Sequence, residues 1–365
     1  MLDSLEGRAK KRKDIVTFSA ADLHAARCAV VLVHYNSARD ALACLRALNA
    51  LTARPACVII ADNASRPAER KALLEGWQAL RRADGCEPPA CLHSGQTPPG
   101  TDALFLALPE NSGFAGGNNA ALRLLLATPA FDGVEAFWLL NTDTEPAPGA
   151  LDALCARLNA RPDAGLCGST LCYAHAPDVV QAAGGCTLCP LTGRTSFLMG
   201  GAARSQALAA DPAAVEARMA CLVGASVLVR RRVLRAVGLL PEAYFLYYED
   251  AAFGIEARRA GFSPAWAPRS LVIHKEGGST GARGGGHASS KPARSRLMDY
   301  LAIRNRIYLI RSYYPGFLPT ALASLAGVAL NRLRRGQTDR LPLIFRAAWH
   351  GLRGRMGRPD SRNLS

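Results

Sequence analysis

The 365-residue sequence predicts an α/β fold built on a mostly parallel central sheet flanked by helices. Two observations carry this. Between residues 28 and 144, apolar runs rich in β-branched residues alternate with amphipathic segments, the rhythm of strands joined by covering helices. Each of those four runs also ends in polar residues, and in such sheets ligands bind beyond the carboxyl ends of the strands.

The elements follow in order. CAVVLVHYN (28–36) is a continuous apolar run, suited to a strand buried on both faces. Ser37 and Asp40 make an S-x-x-D helix start, followed by Leu42, Leu45, Leu48 and Leu51 at roughly helical spacing. ACVIIADNAS (56–65) is the second strand, and Pro67 sits near the start of the next helix. Residues 82–101 hold four of the 22 prolines with two cysteines, and read as a surface insertion. ALFLALPEN (103–111), GGNNAALRLLLAT (116–128) and AFWLLNTDT (136–144) complete a third strand, third helix and fourth strand.

The second half is less regular. A helix over 151–165, a strand over 165–173 and a mixed glycine-containing stretch from 184 to 201 precede CLVGASVLVRRRVLRAVG, which reads as strand then helix. EDAAFGIEARRAG (249–261) is a helix with acids at its start and arginines at its end. A last strand leads to His274, and GGSTGARGGGHASS (277–290) reads as a flexible connection. No internal repeat is present.

Composition narrows the classes. Half the residues are hydrophobic (49%), enough for a full core. No apolar stretch reaches the ~20 residues needed to span a bilayer, and the polar, basic start lacks a signal-like apolar segment, so a cytoplasmic protein is the expectation. The eleven cysteines are irregularly spaced, with Cys28, Cys57, Cys167 and Cys221 inside apolar runs. They are expected as small buried residues, without zinc or disulfides. The net charge of +15 is uneven: residues 281–365 carry sixteen Arg or Lys against three acids, or +13. The expected layout is a basic N-terminal segment (1–27), a central domain (28–280) that divides near residue 145, and a basic, amphipathic, helical C-terminal region (281–365).

The strand ends supply Tyr35 and Asn36, Asp62 and Asn63, Glu110 and Asn111, and Asn141, Thr142 and Asp143. Asp and Asn at loop starts also serve simply as turn formers. An acid here suits a hydrogen bond to a nucleoside, and the glycines of NSGFAGGNN would let backbone amides approach a phosphate. Asp143 follows an apolar strand, where a divalent cation bridging it to a diphosphate would supply a partner. Glu249 and Asp250 follow the aromatic PEAYFLYY, suited to stacking on a sugar ring. Such acids also cap helices, and one of them could take a proton from an acceptor hydroxyl. His274 is either a core histidine or a neutral metal ligand.

The order VLVHYNS, IIADNAS, ENSGFAGGNNAAL, LLNTDT, residues 222–262, the strand ending at His274 and YLAIRNRIYLI resembles the inverting glycosyltransferases of family 2, with the GT-A fold, in particular the rhamnosyltransferase-like branch. The resemblance spans 28–311 and implies that 28–280 is a catalytic domain with a nucleotide-sugar-binding half (28–145) and an acceptor-binding half (146–280). It implies a nucleotide-diphosphate-sugar donor, dTDP-rhamnose in that branch, a glycan or lipid-linked acceptor, and Mg²⁺ or Mn²⁺. It implies further that Asp62 recognises the nucleoside, that Asn111, Gly113 and Asn118 border the donor, that Asp143 and His274 hold the metal, that Asp250 is the general base, and that Arg304 belongs to a recurring substrate-side element. Where the family's metal motif often has two acids, this chain has Asn141 first, a form common in that branch.

Other readings remain at this stage: the same fold with another donor, such as UDP-galactofuranose or a UDP-hexose, or a nucleic-acid binder using the basic tail. The latter lacks aromatic and basic residues interleaved on a recognisable module, so nucleic acid is not expected. The C-terminal stretches 311–336 and 341–358 combine apolar runs with aromatics and arginines. They suit either an anionic membrane surface or packing on the catalytic domain.

Overall fold

The computed structural model describes residues 22–93, 95–96, 98–275 and 295–360. Most of the N-terminal basic segment and the 277–290 connection lie outside the described residues. One large sheet has the order β3-β4-β2-β1-β5-β12-β7-β13-β6. Its strands are β1 (Cys28–His34), β2 (Cys57–Asp62), β3 (Ala90–His93), β4 (Ala103–Ala107), β5 (Ala136–Asn141), β6 (Thr144–Pro146), β7 (Ala164–Tyr173), β12 (Ser226–Arg230) and β13 (Ser263–His274). β8 (Ala176–Ala183) pairs with β7 beside this path. A small second sheet joins β9 (Gly185–Leu188) and β10 (Thr195–Phe197), both within the mixed stretch 184–201, to β11 (Cys221–Leu222).

The first five strands are parallel. β12 runs antiparallel between β5 and β7, β7 and β13 are parallel, and β6 folds back antiparallel onto the end of β13. α1 (Ala38–Asn49), α2 (Pro67–Ala83) and α4 (Ala150–Ala160) cover one face of the sheet. α3 (Gly113–Ala127), α7 (Arg231–Val237) and α8 (Glu249–Arg259) cover the other. Two short helices, α5 (Arg204–Ala209) and α6 (Pro212–Glu216), lie between. β1 shows why its run is continuously apolar: Val30 and Leu32 enter one core and Ala29 and Val31 the other. Cys28, Cys57 and Cys167 are buried in these cores, and Cys221 in a smaller cluster with Cys186 and Tyr244.

The expectation of a loop-like insertion over 82–101 is corrected. Its centre forms β3, hydrogen-bonded in parallel to β4 at the sheet edge. Pro88 and Pro89 lie just before the strand, and an edge position tolerates such neighbours.

After β13, α9 (Arg296–Tyr313), α10 (Leu318–Ala323), α11 (Leu325–Arg334) and α12 (Leu341–Arg353) form a helical cluster with its own core around Tyr300, Ile307, Leu343 and Ala347. Phe245, from the segment before α8, joins that core. Asp299 ties the cluster together, accepting from Arg332 at 2.6 Å and Arg340 at 3.0 Å.

The chain order sets the crevice. From β1 it moves to β2 and β4 on one side, then returns to place β5 on the other. Register pairs Val33 with Asn141, so Tyr35 and Asn36 leave the sheet beside Thr142 and Asp143. That reversal of strand order is where an open α/β sheet binds ligand.

Candidate active site

Asp143 and His274 are 131 positions apart in sequence, and β6 brings them together. Its antiparallel pairing sets Thr144 opposite His274, and Lys275 N–H donates to the Asp143 carbonyl at 3.0 Å. His274 Nε2 lies 3.4 Å from Asp143 Oδ1, while its Nδ1 lies 2.8 Å from Gln181 Oε1 on β8. With Nδ1 as the donor to Gln181, Nε2 presents its lone pair towards the carboxylate. Gln181 carried no sequence signal, because its position depends on the β7–β8 pairing.

The segment 223–226 links the strand end at Asn141 to Asp250. Asn141 N–H donates to the Ala225 carbonyl at 3.0 Å. Gly224 N–H donates to Asp250 Oδ2 at 3.2 Å, and Ala251 N–H to Oδ1 at 2.7 Å. Asp250 stays partly exposed at the start of α8. Burial raises its carboxyl above the ordinary range, against the pull of those backbone N–H groups.

Glu249 differs. It is buried, its Oε2 has no hydrogen-bond partner among the described residues, and burial with the neighbouring Asp250 charge pushes it up to about 8. Of the two acids, Glu249 sits where the protonated form is favoured, while two backbone N–H groups favour the charged form of Asp250.

The turn before them is conformationally demanding. Phe245, Tyr247 and Tyr248 have φ of 65°, 72° and 71°, left-handed values that bulky residues adopt only when their surroundings impose them. α9 supplies one support. Asn305 Nδ2 reaches the carbonyls of Tyr244, Leu246 and Tyr247 at 2.8–2.9 Å, and Arg304 donates to Tyr244 O, Gly357 O and Asn305 Oδ1. α3 supplies the other, with Phe114 N–H donating to the Phe245 carbonyl at 2.7 Å. A Cβ on Gly113, itself at φ +79°, would stand 2.2 Å from that carbonyl oxygen.

These contacts give several of the expected site residues partners within the protein. The glycines of NSGFAGGNN lie inside α3 and permit close packing on protein: Gly113 on the Phe245 carbonyl and Gly117 on Val33. Arg304 is 1% exposed and faces protein carbonyls. Asn118 is buried and donates back to Phe114 O at 2.9 Å. Asn63 is buried too, bonding Asn111 Oδ1, Gly113 O and the Ser112 N–H. Asp62 is fully buried: in-register pairing puts it opposite His34, whose Nδ1 lies 2.8 Å from Oδ1, while Arg70 Nε holds Oδ2 at 2.6 Å. Burial would raise the Asp62 carboxyl, but hydrogen bonds from His34, Ser65 and Arg70 outweigh it and keep it below the usual range. Tyr35, Asn36, Asn111 and Asn141 are partly exposed; Thr142 and Asp143 are largely covered. His34 and Arg70, like Gln181, are site-forming residues to which sequence assigned no role of their own.

Comparison with known proteins agrees with this architecture. Residues 13–284 match the model of "Glycosyltransferase like family 2". The chain belongs to glycosyltransferase family 2. An N-acetylglucosaminyl-diphospho-decaprenol L-rhamnosyltransferase of Mycobacterium tuberculosis is 26% identical over 274 residues, 72% of this chain and 80% of the relative. Two solved structures share the fold at low identity. GalNAc-T7 with UDP, GalNAc and Mn²⁺ has a TM-score of 0.54 at 11% identity over 80% of this chain, which spans about half (48%) of that one. S. aureus TarS 1–349 with UDP-GlcNAc has a TM-score of 0.51 at 13% identity, covering 90% of this chain and 81% of the other. The fold is GT-A, and the chain is a glycosyltransferase.

Two expectations follow. Asn305→Ala removes the Asn305 donor from the Leu246 and Tyr247 carbonyls and leaves Tyr244 O to Arg304 and Leu246 N–H, so it should lower stability by about 2–4 kcal/mol and expose the 244–248 turn to limited proteolysis. Native proteolytic resistance in that variant would remove the clamp's importance. Glu249 is raised in the folded state, so its ionisation costs stability as pH climbs from the ordinary carboxylate range through about 8. Glu249→Gln should therefore melt higher than the parent at pH 9, with the gap closing by pH 5. Parallel melting curves across that range would show that Glu249 is not the protonated partner.

Proposed function

We propose that this family 2 glycosyltransferase moves L-rhamnose from dTDP-rhamnose to a hydroxyl of a lipid-linked glycan, with inversion, in cell-surface polysaccharide synthesis in the cytoplasm. The observation that carries the site assignment is the shared scaffold of Asp143, His274 and Asp250. The first two converge at the switch crevice, and the third is tied to the same strand end through Gly224 and Ala225. The name of the mycobacterial relative, an L-rhamnosyltransferase acting on a diphospho-decaprenol saccharide, supports the choice of sugar and acceptor class.

Asp250 takes the proton of the acceptor hydroxyl as its oxygen attacks the anomeric carbon. The bond from that carbon to the diphosphate oxygen breaks on the opposite face, and nucleoside diphosphate leaves. Two backbone N–H groups fix the rotamer of Asp250, and its raised pKa strengthens it as a base. Tyr35 and Asn36 border the nucleoside, with the buried Asp62–His34–Arg70 cluster holding their loop in place. Asn36 is part of that brace: its N–H donates to Ser65 Oγ and its Oδ1 accepts from Arg66 N. Asn111, Asn141 and Thr142 border the diphosphate. Asn63, Gly113, Asn118, Glu249 and Arg304 shape the site from behind.

The donor set fits a divalent cation. In the tautomer set by Gln181, an imidazole lone pair and a carboxylate oxygen face each other at 3.4 Å, which is electrostatically favourable when a cation lies between them. Mg²⁺ or Mn²⁺ held by Asp143 and His274 would neutralise charge on the departing diphosphate. Mn²⁺ accompanies UDP in the GalNAc-T7 structure, which supports this choice.

Asp250→Asn should reduce turnover by about 10²–10⁴-fold while donor affinity by calorimetry stays within a few-fold. Full activity in that variant would exclude Asp250 as the base. In the parent, activity should fall with acidification at a pH above that of an ordinary carboxylate, because the base protonates early. Hydrolysis across dTDP-, UDP- and GDP-sugars, with and without Mn²⁺, tests the donor. Preference for UDP-galactofuranose or a UDP-hexose would replace rhamnose and leave the transfer chemistry standing.

A further inference from the structure

The C-terminal helices carry a surface that the transfer chemistry does not use. α12 buries Leu343, Ile344, Ala347 and Ala348 in the helical core. On its outer side stand Phe345 and Trp349, 76% and 43% exposed. They are four residues apart, so they sit together on one side of the helix. Leu330 and Leu333 on α11 are each 46% exposed. Between the two helices an apolar groove of about 370 Å³ runs over Leu325, Ile344 and Ala348, with Phe345 and Trp349 at its edge. Clustered exposed aromatics and leucines of this kind mark an interaction surface.

The charge around that surface has one sign. Arg334, Arg335, Arg353, Arg355 and Arg358 are exposed. The acids between residues 295 and 360 number three: Asp299 is buried between Arg332 and Arg340, Asp339 pairs with Arg296, and Asp360 lies near the end of the described chain. Arg353 stacks over the Trp349 ring at 4.3 Å, putting a cation beside the largest exposed apolar group. A second copy of this chain would bring arginines against arginines across a two-fold interface. An anionic, apolar-cored surface complements both features.

We propose that this face docks on the surface of an anionic lipid bilayer. α12 lies in the plane of the interface, about 20 Å long, with Phe345 and Trp349 entering the boundary between headgroups and acyl chains and the arginines on lipid phosphates. Docking is in-plane: no helix among the described residues is long and apolar enough to cross a membrane. The docked helix lies against the support of the active site. A Cβ on Gly351 would meet the Arg304 carbonyl at 2.4 Å, so α12 rests on the helix whose Arg304 and Asn305 hold the turn before Asp250.

The test uses the full chain and reads binding without turnover, so it is independent of the sugar-transfer reading. Vesicles of phosphatidylcholine alone are compared with vesicles mixing phosphatidylcholine and phosphatidylglycerol. Flotation with the mixed vesicles, its loss at high salt, and a blue shift of tryptophan emission are expected. That shift reports Trp349, since Trp77, Trp138 and Trp266 are buried. The double variant Phe345→Glu/Trp349→Glu, at two exposed positions, should weaken vesicle binding by about tenfold or more while donor hydrolysis stays unchanged. Failure of the parent to bind mixed vesicles, or binding that the double variant does not weaken, overturns the proposal. So does self-association in light scattering that the double variant abolishes, which would give the face to a second copy.

Discussion

The turn from Tyr244 to Tyr248 is the constraint around which the site is arranged. Three large residues there adopt left-handed backbone angles, and such a conformation persists only when surrounding structure over-determines it. Two parts of the molecule do so. α9 offers Arg304 and Asn305 to the turn's carbonyls, and the start of α3 offers Phe114 N–H to the Phe245 carbonyl. The next two residues are Glu249 and Asp250. The position of Asp250 therefore depends on contacts from a helix about sixty residues later in the chain and another about 130 residues earlier. Glycine at 113 is required for the second of these contacts, since any side chain would meet the Phe245 carbonyl.

The same turn puts two adjacent acids in different surroundings. Glu249 points into the protein with one oxygen lacking a donor, while Asp250 receives two backbone N–H groups and keeps some solvent. Separation of charge between neighbouring carboxyls follows from desolvation of one and hydrogen bonding of the other. A proton on Glu249 also spares Asp250 a like charge beside it.

Much of this was legible in the sequence, because continuous apolar runs and helix-start signals depend on local chemistry. The four strand ends of the donor half, the helix beginning with Glu249 and Asp250, and the strand ending in His274 all appear where their patterns put them. What was not legible depends on register and on close packing. His34 looked like one more residue of an apolar run, yet pairing in register with Asp62 makes it that carboxylate's partner. The NSGFAGGNN glycines suggested room for a phosphate, whereas they make room for Val33 and the Phe245 carbonyl. Arg304 sat in a motif shared with a family, and shared motifs do not distinguish a residue that touches substrate from one that holds up a turn. β3 was hidden by its flanking prolines.

The proposed metal position has a consequence that follows from its ligand count. Among the described residues no group of three or more His, Cys, Asp or Glu side chains gathers to hold an ion, and Asn141 occupies the place where a second carboxylate would strengthen binding. One carboxylate and one imidazole give a cation a single formal negative charge. A hard divalent ion prefers six or so oxygen ligands, so most of its shell would come from the donor diphosphate and water. Cation and donor would then bind cooperatively, each improving the site for the other by the same factor. The β6–β13 pairing becomes central to that cooperation, because it alone brings His274 to Asp143. The chemistry at Asp143 thus rests on the last strand of the sheet as much as on the strand that carries it.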